Sequence, residues 1–280
     1  MQLRPYDRSQ AEAVQDLLFC ARRQHIHLDW YRAANFLDRP DTLALTLWDN
    51  SRLLGVIACA PPLGGTQWVR LLAVDNAADA AVVVKSLVHA VLEAAQRAHL
   101  QAVYCIVINP WLSGHLAMLE FEYAEEVVTL SRTGDELPDL PALPYTVETA
   151  YSEQLPDLVT VDHAAFEPPW QMSPDEIRQA QRQAASCTVA LVDGRIIGYQ
   201  ISTRYQNAAH LARLAVVPSH QGNGVGALLL HHVISSMLRR SVRTMTVNTQ
   251  QSNQHSQRLY LRFGFQRNGY DLPVWRRRLR

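Results

Sequence analysis

A strand end, a proline and a glycine-rich turn follow one another in Val216-Val217-Pro218-Ser219-His220-Gln221-Gly222-Asn223-Gly224-Val225-Gly226. The preceding residues, 210–217, are apolar and become β-branched, which predicts a strand; Pro218 ends it because proline has no N–H to donate. Beyond the turn, apolar residues repeat every fourth position and predict a helix over residues 227–238. They are Val225, Leu229, Val233 and Met237. The turn therefore lies at the N-terminus of a helix.

The start of such a helix is suited to an anion. Its first backbone N–H groups have no acceptor within the helix, and the helix dipole is positive there. Glycines at positions 222, 224 and 226 let phosphate oxygens approach the backbone without meeting a Cβ atom. We therefore expect this turn to bind a diphosphate.

The spacing of the glycines separates this turn from other phosphate-binding loops. A dinucleotide-binding fold has G-x-G-x-x-G and an acidic residue about 20 positions later, whereas this turn has G-x-G-x-G and the following strand, residues 244–249, has no acid. A nucleotide P-loop requires Gly-Lys-Ser/Thr, but the single lysine of the chain is Lys85. Both of those classes are excluded.

Two motifs in this part of the chain resemble those of the GNAT acetyltransferases. Residues 214–218 followed by Gln221-x-x-Gly224-x-Gly226 are similar to the acyl-CoA signature of that family. Residues 253–265, NQHSQRLYLRFGF, resemble the family's N-x-x-(A/S)-x-x-L-Y-x-x-x-G-F helix. The order and spacing of the two motifs identify a GNAT-like domain.

The resemblance implies acetyl-CoA as the cosubstrate and a role for each matching residue. The backbone of Leu214, Ala215 and Val216 would pair with the pantetheine amides, and Asn253 would fix the pantetheine arm. The diphosphate would be held by Gln221, Gly222, Asn223, Gly224, Val225, Gly226 and Ala227. Tyr260 would be the catalytic residue that protonates the departing thiolate. The resemblance implies no metal.

The proposed role of Tyr260 agrees with its acid-base chemistry. An unperturbed phenol titrates near pH ~10 and a thiol near ~8.5, so the phenol is a neutral donor at working pH. The alternative is that Tyr260 is a core aromatic of an amphipathic helix, one turn before Gly264. Asn253 has an alternative too, as a helix-start residue after an N-cap Ser252.

The length of 280 residues is sufficient for two domains. Three prolines recur at every third position in residues 135–144, which predicts an extended, semi-rigid linker. We expect one domain over residues 1–134 and a second over residues 145–280. The second half has the element order of a GNAT fold, including a hairpin turn at Asp193-Gly194.

The first half repeats that order, so the predicted fold class is α/β, with two tandem GNAT-like domains that each contain a mixed sheet. Residues 102–108 and 126–131 are expected to close the first sheet. At the position of the phosphate loop the first half has Asp75 and Asp79, and no glycine occurs between Gly65 and Gly114. Acidic side chains and Cβ atoms oppose a bound phosphate. The first domain is therefore predicted to be degenerate and not to bind CoA.

The two halves of the sequence also differ in net charge. Residues 1–144 carry 11 Lys and Arg against 17 Asp and Glu, a net charge of −6, whereas residues 145–280 carry 15 against 9, a net charge of +6. A basic half suits a cofactor with roughly four negative charges. The arginine-rich run at residues 275–280 is taken as a solvated tail, and no nucleic-acid partner is expected.

Four cysteines lack metal-binding spacing and are predicted to be buried free thiols: Cys20, Cys59, Cys105 and Cys187. The sequence contains no signal-peptide pattern and no apolar run of about 18 residues. We therefore expect a cytoplasmic protein with no membrane partner, present as a monomer or a homodimer.

The general base is the open question of the sequence. Many GNAT relatives place Glu on the strand after the signature helix, but here Asn248 occupies that position and cannot accept a proton. Substitutes are Asp162, His163, Glu167, His210, Tyr270 and Asp271.

The predicted function is transfer of an acetyl group from acetyl-CoA to a primary amine, of a small molecule or a protein N-terminus, by direct attack in the second domain. The alternative is a non-catalytic acyl-CoA sensor or scaffold. Phe166-Glu167-Pro168-Pro169-Trp170 resembles a segment of ribosomal-protein alanine N-acetyltransferases, but we favour the interpretation that it is a proline-rich turn anchored by a buried Trp170. The tandem architecture is similar to that of mycothiol synthases.

Overall fold

The computed structural model describes residues 1–279 of the chain, which form two compact units. The first unit contains Met1–Glu125 together with the chain from Leu272 onward, and the second contains Glu126–Asp271. Residues 135–144 therefore lie within the second unit. This division differs from the predicted domains, residues 1–134 and 145–280, because segments near residue 126 and near the C-terminus pair outside the half of the sequence that contains them.

Both units combine short and long strands with helices. The strands are β1 (Gln2–Pro5), β2 (Arg23–Ile26), β3 (Leu43–Asp49), β4 (Arg52–Cys59), β5 (Thr66–Val74), β6 (Ala102–Ile106), β7 (Glu122–Thr133), β8 (Thr146–Thr149), β9 (Ser186–Val192), β10 (Arg195–Tyr205), β11 (Ala208–Val216), β12 (Thr244–Gln250), β13 (Gln266–Arg267) and β14 (Leu272–Arg278). The helices are α1 (Ala11–Cys20), α2 (Ala33–Leu37), α3 (Ala80–Arg97), α4 (Trp111–Met118), α5 (Leu155–Ala165), α6 (Pro174–Gln183), α7 (Val225–Arg239) and α8 (Gln254–Arg262).

The sheet of the first unit has the strand order β1-β3-β4-β5-β6-β14. Its pairs are antiparallel except for β5 and β6, which are parallel, and β2 pairs with β5 beyond the end of that parallel contact. Helix α3 covers one face, burying Val83, Val84, Leu87 and Val91 completely. Of these, Val83, Leu87 and Val91 lie at i, i+4 and i+8 on one face of an amphipathic helix.

The sheet of the second unit has the order β7-β12-β11-β10-β9-β8, with β13 paired to β7. Only β11 and β12 run parallel. Helices α7 and α8 pack on one face through a core that includes Leu230, Val233 and Phe263. Helix α5 lies against β10 and β11. Both units thus combine helices with a mixed sheet, which confirms the predicted α/β fold class.

Two strand pairings differ from the predictions. Residues 127–133 of β7 pair with β12 of the second unit, so the prediction that residues 126–131 close the first sheet is wrong. Strand β14 takes the place beside β6 in the first unit. Local sequence predicts that a segment is a strand but contains no information on its partner, which is fixed by non-local pairing.

The arginine-rich C-terminal run is also a strand and not the predicted solvated tail. Residues 274–278 pair with β6, and Trp275 packs against the core of the first unit. Arg276 and Arg278 form ion pairs with Glu122. Carboxylates on this unit thus neutralise the basic side chains and permit them to lie in a sheet. Residue 280 lies outside the described residues.

The helix boundaries follow from local chemistry. Helix α6 begins with a capping box in which the Ser173 side chain accepts from Glu176 N–H while the Glu176 side chain accepts from Ser173 N–H. The turn at Asp193 and Gly194 has positive φ at both residues, 48° and 72°, as the predicted hairpin requires. Of the cysteines, Cys59, Cys105 and Cys187 are buried as predicted, but Cys20 is exposed at the end of α1.

Candidate functional site

Strand β11 leaves one of its two edges open at the carboxyl end. It pairs with β12 only over residues 208–211, and an extra residue, Ala212, then interrupts the register with β10. Beyond this bulge, Leu214, Ala215 and Val216 pair with β10 on one side, and no other strand pairs with them within residues 1–279. A bulge bends and twists its strand, so β11 diverges from β12 and leaves a cleft edged with backbone polar groups.

The glycine-rich turn follows directly after this edge. Val217 N–H donates to Ile197 C=O at 2.9 Å, and the Gln221 side chain donates to Val216 C=O at 2.9 Å. These bonds fix the turn to the end of the strand. Gly222 and Gly224 have φ of +78° and +85°, left-handed conformations that glycine adopts without a steric penalty.

Helix α7 then begins with free donors. Its first backbone bond runs from Leu228 N–H to Gly224 C=O at 2.9 Å, so the N–H groups of Val225, Gly226 and Ala227 precede the intrahelical pattern. No side chain of the described residues caps the helix at Gly224. Unbonded N–H groups at a helix start form an anion site without a positively charged side chain.

The three glycines of the turn have different surroundings. A Cβ atom at Gly222 would have no neighbour within 4 Å, one at Gly224 would lie 2.9 Å from Leu143 Cδ1, and one at Gly226 would lie 3.4 Å from Leu259 Cδ2. Only position 222 therefore faces open space. The contact at Gly226 brings the first turn of α7 against α8, the helix that carries Tyr260.

Tyr260 is a buried residue of α8, with 4% of its surface exposed and its ring 5.7 Å from that of Phe265. Burial raises its pKa well above the ordinary value, and the charge of Arg213 lowers it by a smaller amount. The hydroxyl is therefore a neutral proton donor across the physiological pH range.

Asn253 is the N-cap of α8. Its side chain accepts a hydrogen bond from Ser256 N–H at 3.1 Å, which satisfies one of the free donors of the helix start. The predicted alternative placed the cap at Ser252, one residue earlier. The amide nitrogen of Asn253 is not used in this capping bond, because only the side-chain oxygen accepts it.

A buried ion pair that the sequence reasoning missed lies on the other face of β11. Arg213 donates to both oxygens of Asp162, at 2.7 and 2.8 Å, and Tyr199 O–H donates to Asp162 at 2.6 Å. Asp162 is completely buried. A bidentate pair with a further donor compensates for much of the cost of desolvating the two charges. The signal in the sequence is an arginine within an apolar strand, since a charge at a buried position requires a partner.

Arg213 also holds the segment at residues 166–170. It donates to Trp170 C=O at 2.8 Å, and its guanidinium lies 3.5 Å from the centre of the Phe166 ring. Trp170 is half-buried. The predicted proline-rich turn is thus anchored by Arg213 and Phe166 together with the tryptophan, and it is fixed beside the strand that carries the open edge.

The candidate general bases are distributed around the second unit and do not converge. Asp162 has both oxygens bonded, and His163 Nε2 lies 2.9 Å from Met172 C=O, an acceptor. His210 Nδ1 lies 2.8 Å from Thr246 Oγ1 between β11 and β12. Asn248 is exposed on β12.

The remaining candidates are exposed or engaged. Glu167 and Tyr270 are exposed. Burial tends to raise the pKa of Asp271, but hydrogen bonds from Arg267 and Thr129 N–H outweigh that effect, and its pKa is lowered. Asp271 is therefore a weak base held in an ion pair.

The first unit contains the same framework, which permits a residue-by-residue comparison. A Cβ at Gly55 would lie close to Val83 and Ala73 C=O, just as one at Gly198 would lie close to Val225 and Ala215 C=O. Val83 therefore corresponds to Val225, and, counting back along the chain, Ala80 corresponds to Gly222. The parallel pairs also agree, since Thr66 pairs with Ala102 and Ala208 pairs with Thr244, each 36 residues apart.

The first unit lacks an open strand edge, an uncapped helix start and a phenol at the corresponding positions of its described residues. β2 pairs with Leu71–Val74 beyond the bulge at Arg70. Asp79 caps α3 by accepting from Ala81 and Val82 N–H at 2.9 and 3.3 Å. Tyr260 is replaced by Leu116, which is buried and, like Tyr260, accepts at its carbonyl from a phenylalanine N–H five residues later. The described residues of this unit therefore contain no counterpart of the open β11 edge, the glycine turn or the Tyr260 phenol.

Residues 1–279 contain neither a metal cluster nor a membrane-spanning helix. No group of three or more His, Cys, Asp or Glu side chains in these residues is arranged to hold a metal ion. None of the described helices has the length and hydrophobicity needed to span a bilayer.

Comparison with known proteins agrees with this geometry. Residues 155–265 match the model of the acetyltransferase (GNAT) family. An uncharacterized N-acetyltransferase of Mycobacterium tuberculosis is 33% identical over 78 residues, 28% of this chain and 50% of that protein. The ribosomal-protein alanine N-acetyltransferase of Escherichia coli is 26% identical over 120 residues, 43% of this chain and 80% of that protein. The chain spans about half the length of the first curated relatives that it matches.

Among solved structures, the fold of the whole chain is similar to a tandem GNAT protein from the clavulanic acid biosynthesis pathway. The TM-score is 0.67 at 18% identity, and the match covers 99% of this chain and 98% of that one. Residues 155–265 therefore match the acetyltransferase (GNAT) family model, and the fold of the whole chain is similar to that of a tandem GNAT protein.

Proposed function

We propose that the second unit is an N-acetyltransferase that takes an acetyl group from acetyl-CoA and transfers it to a primary amine. One observation carries the proposal: the open backbone edge at residues 214–216 continues directly into the free N–H groups at the start of α7. A ligand that fits both must have amides at strand spacing followed by a diphosphate. The pantetheine arm and diphosphate of CoA have that order of groups.

The two parts of this cradle bind in different ways. Leu214, Ala215 and Val216 offer backbone hydrogen bonds, as an exposed sheet edge does to an added strand. The turn at residues 221–227 offers donors and the positive end of the helix dipole to the diphosphate. Gln221 and Asn223 are exposed at the surface of this turn. The thioester would then lie in the cleft between β11 and β12.

The chemistry proposed is direct attack on the thioester carbonyl by the neutral amine. A C–N bond forms, the C–S bond breaks, and the sulfur receives a proton from the Tyr260 hydroxyl. The nitrogen gives up a proton to solvent, and the Tyr260 phenolate regains one from solvent, which completes the cycle. Holding the two reactants together supplies much of the rate by proximity. The raised pKa of Tyr260 keeps the donor protonated until the thiolate departs.

The acceptor is proposed as a primary amine of a small molecule or of a protein N-terminus. The relative from Escherichia coli is named for acetylating an alanine of a ribosomal protein, and residues 166–170 resemble a segment of that class. Arg213 fixes this segment beside the cleft. An acceptor amine with a low pKa would need no strong general base, which agrees with the engagement of Asp162 and Asp271.

The rival function is an acyl-CoA sensor without turnover. Asn248 at the position of a catalytic glutamate supports it, as does the engagement of the Asp162 carboxylate near the cleft. Tyr260 is evidence against the sensor, because a proton donor beside the sulfur is needed for turnover but not for binding. Turnover distinguishes the two.

The test is release of free thiol from acetyl-CoA in the presence of a panel of amines. We expect Tyr260→Phe to lower turnover about 100-fold or more, because removal of a positioned acid typically costs that much, while the Kd for acetyl-CoA remains unchanged. Tyr205→Phe is the matched control, since Tyr205 is 79% exposed at the tip of a hairpin. Binding without turnover on any amine favours the sensor.

A further inference from the structure

The proline-rich segment at residues 135–144, here called the strap, is bound along the second unit and is not a free spacer. Arg132 donates to Gly134 C=O and Glu136 C=O at 3.1 and 2.8 Å. Arg243 forms an ion pair with Asp135 at 2.8 Å. Arg132 is only 5% exposed, so a buried guanidinium fixes the beginning of the strap. A buried charge bonded to backbone carbonyls specifies one path for the chain.

The middle of the strap packs on the core beneath it. Leu137 and Leu140 lie against the cluster formed by α7, α8 and β12, and Arg262 of α8 donates to Asp139 C=O at 3.4 Å. Leu137 and Leu140 are three residues apart with Pro138 between them, a spacing that places both side chains on the same side of an extended chain. The strap therefore crosses the helices that carry the proposed cofactor loop and Tyr260.

The end of the strap contacts the cofactor loop. Leu143 fills the space beside Gly224, where a Cβ would lie 2.9 Å from its Cδ1 atom. Two residues later, the Tyr145 ring lies 6.5 Å from the ring of His220, which belongs to the same turn. Gly224 is the left-handed residue at which α7 begins, and no side chain of the described residues caps it.

We infer that the strap is a positioning element for the diphosphate loop and that Leu143 is its contact residue. This inference rests on the proposed function and deepens it. Leu143 packs on the bare Cα of Gly224 and holds the left-handed conformation that directs the N–H groups of residues 225–227 outward. An anion site that is already ordered binds more tightly, because binding then loses less conformational entropy in the loop.

The test compares two leucines of the same strap. We expect Leu143→Ala to raise the Kd for coenzyme A about tenfold and the Kd for 3′-phosphoadenosine 5′-diphosphate by a similar factor, since loop order acts on the diphosphate. Leu137→Ala removes the same atoms from the strap at a distance from the loop, and we expect it to leave both Kd values within about twofold. Leu143→Met, of similar volume, should restore binding.

Amide hydrogen exchange of the ligand-free protein gives a second readout. The amide of Leu228, which donates to Gly224 C=O, should exchange faster in Leu143→Ala than in the wild type or in Leu137→Ala. The inference is overturned if Leu143→Ala binds both probes like the wild type, or if Leu137→Ala weakens binding equally. Failure of the wild type to bind coenzyme A would instead overturn the proposed function, and with it the role of the strap in binding. Faster exchange would then still show that Leu143 orders the loop.

Discussion

β5 of the first unit and β11 of the second are built alike as far as the bulge and differ beyond it. Each runs parallel to one neighbour, reaches a bulge, and diverges from that neighbour. In the first unit, β2 pairs with the diverging end, whereas in the second unit the same edge is open. In the first unit a four-residue strand thus pairs with the edge that corresponds to the proposed ligand-binding edge of the second unit.

The helix starts differ in the same sense. Helix α3 begins at Ala80 with Asp79 as its cap, whereas α7 begins three positions later, after a glycine turn and without a side-chain cap. The carboxylate of Asp79 occupies the donors that a phosphate would use. The carboxylate of an acidic cap accepts hydrogen bonds from the first N–H groups of the helix. It therefore stabilises the helix and excludes a bound phosphate from the same N–H groups.

These differences leave the first unit without the groups from which we propose that the second unit builds its cofactor site. Three parts of the proposed site in the second unit, the strand edge, the helix start and the phenol, have counterparts in the first unit that do not offer these groups to a ligand. β2 satisfies the strand edge, Asp79 satisfies the helix start, and Leu116 replaces the phenol with an apolar side chain. We therefore propose one cofactor site per chain, in the second unit.

The largest expected effect comes from the position after the bulge, where the first unit has Leu71 and the second has Arg213. Arg213→Met leaves Asp162 buried without its partner, and we expect the free energy of unfolding to fall by about 3–5 kcal/mol. Urea denaturation monitored by tryptophan fluorescence measures it. Asp162→Asn together with Arg213→Met should recover part of the loss.

Arg178→Met is the control for that prediction. Its ion pair with Asp175 is exposed, with side-chain exposures of 45% and 33%, and we expect a change of less than about 1 kcal/mol. An equal loss in both variants would show that burial of the Arg213–Asp162 pair has no special importance.

A smaller effect is expected on lowering the pH, and it belongs to the first unit. Burial is the main reason that the pKa of His25 on β2 is lowered from 6.5 to about 4, with His27 and Arg70 adding to it. In the unfolded chain the His25 imidazole binds a proton below pH 6.5, whereas in the folded chain it does so only below about pH 4. Stability is therefore fully present above pH 6.5 and falls as the pH decreases, by up to about 3 kcal/mol.

Urea midpoints between pH 7 and pH 4 test the His25 prediction. His25→Leu should show a shallower dependence on pH than the wild type, whereas His89→Leu, at an exposed position of α3, should not differ from it. Parallel curves for the wild type and His25→Leu would mean that His25 titrates normally in the folded protein.

The smallest effect is expected at the cap of α3. Asp79→Ala removes the two capping bonds, and we expect a loss of about 1 kcal/mol, measured by thermal unfolding. The number of bound acetyl-CoA molecules should remain one, because β2 still covers the edge of β5. A second binding site in this variant would mean that the cap alone closes the first unit.

The local parts of the fold and of the candidate site follow from sequence. The glycine turn at residues 222–226, the helix after it and the hairpin at Asp193 and Gly194 are each determined by neighbours within a few positions. Their conformations depend on the φ preferences of single residues and on the spacing of apolar residues, both of which can be recognised within a short stretch of sequence.

The non-local parts do not follow from sequence. β2 has four residues and no clear alternation, and its strand partner β5 begins 40 residues after it in the sequence. The partners of β7 and β14 depend on long-range pairing, so both segments could be predicted as strands or tails but not assigned to a sheet. Arg213 was missed because its partner Asp162 is 51 residues away.

Calorimetric titration with acetyl-CoA, read for stoichiometry, tests the single-site claim most directly when it compares two matched variants. Gly222→Asp places a carboxylate at the open position of the diphosphate loop, and aspartate tolerates the left-handed conformation. Ala80→Asp places the same group at the corresponding residue of the first unit. We predict one site in the wild type, its loss in Gly222→Asp and its retention in Ala80→Asp. Two sites in the wild type, or loss of binding in Ala80→Asp, would contradict a single site in the second unit.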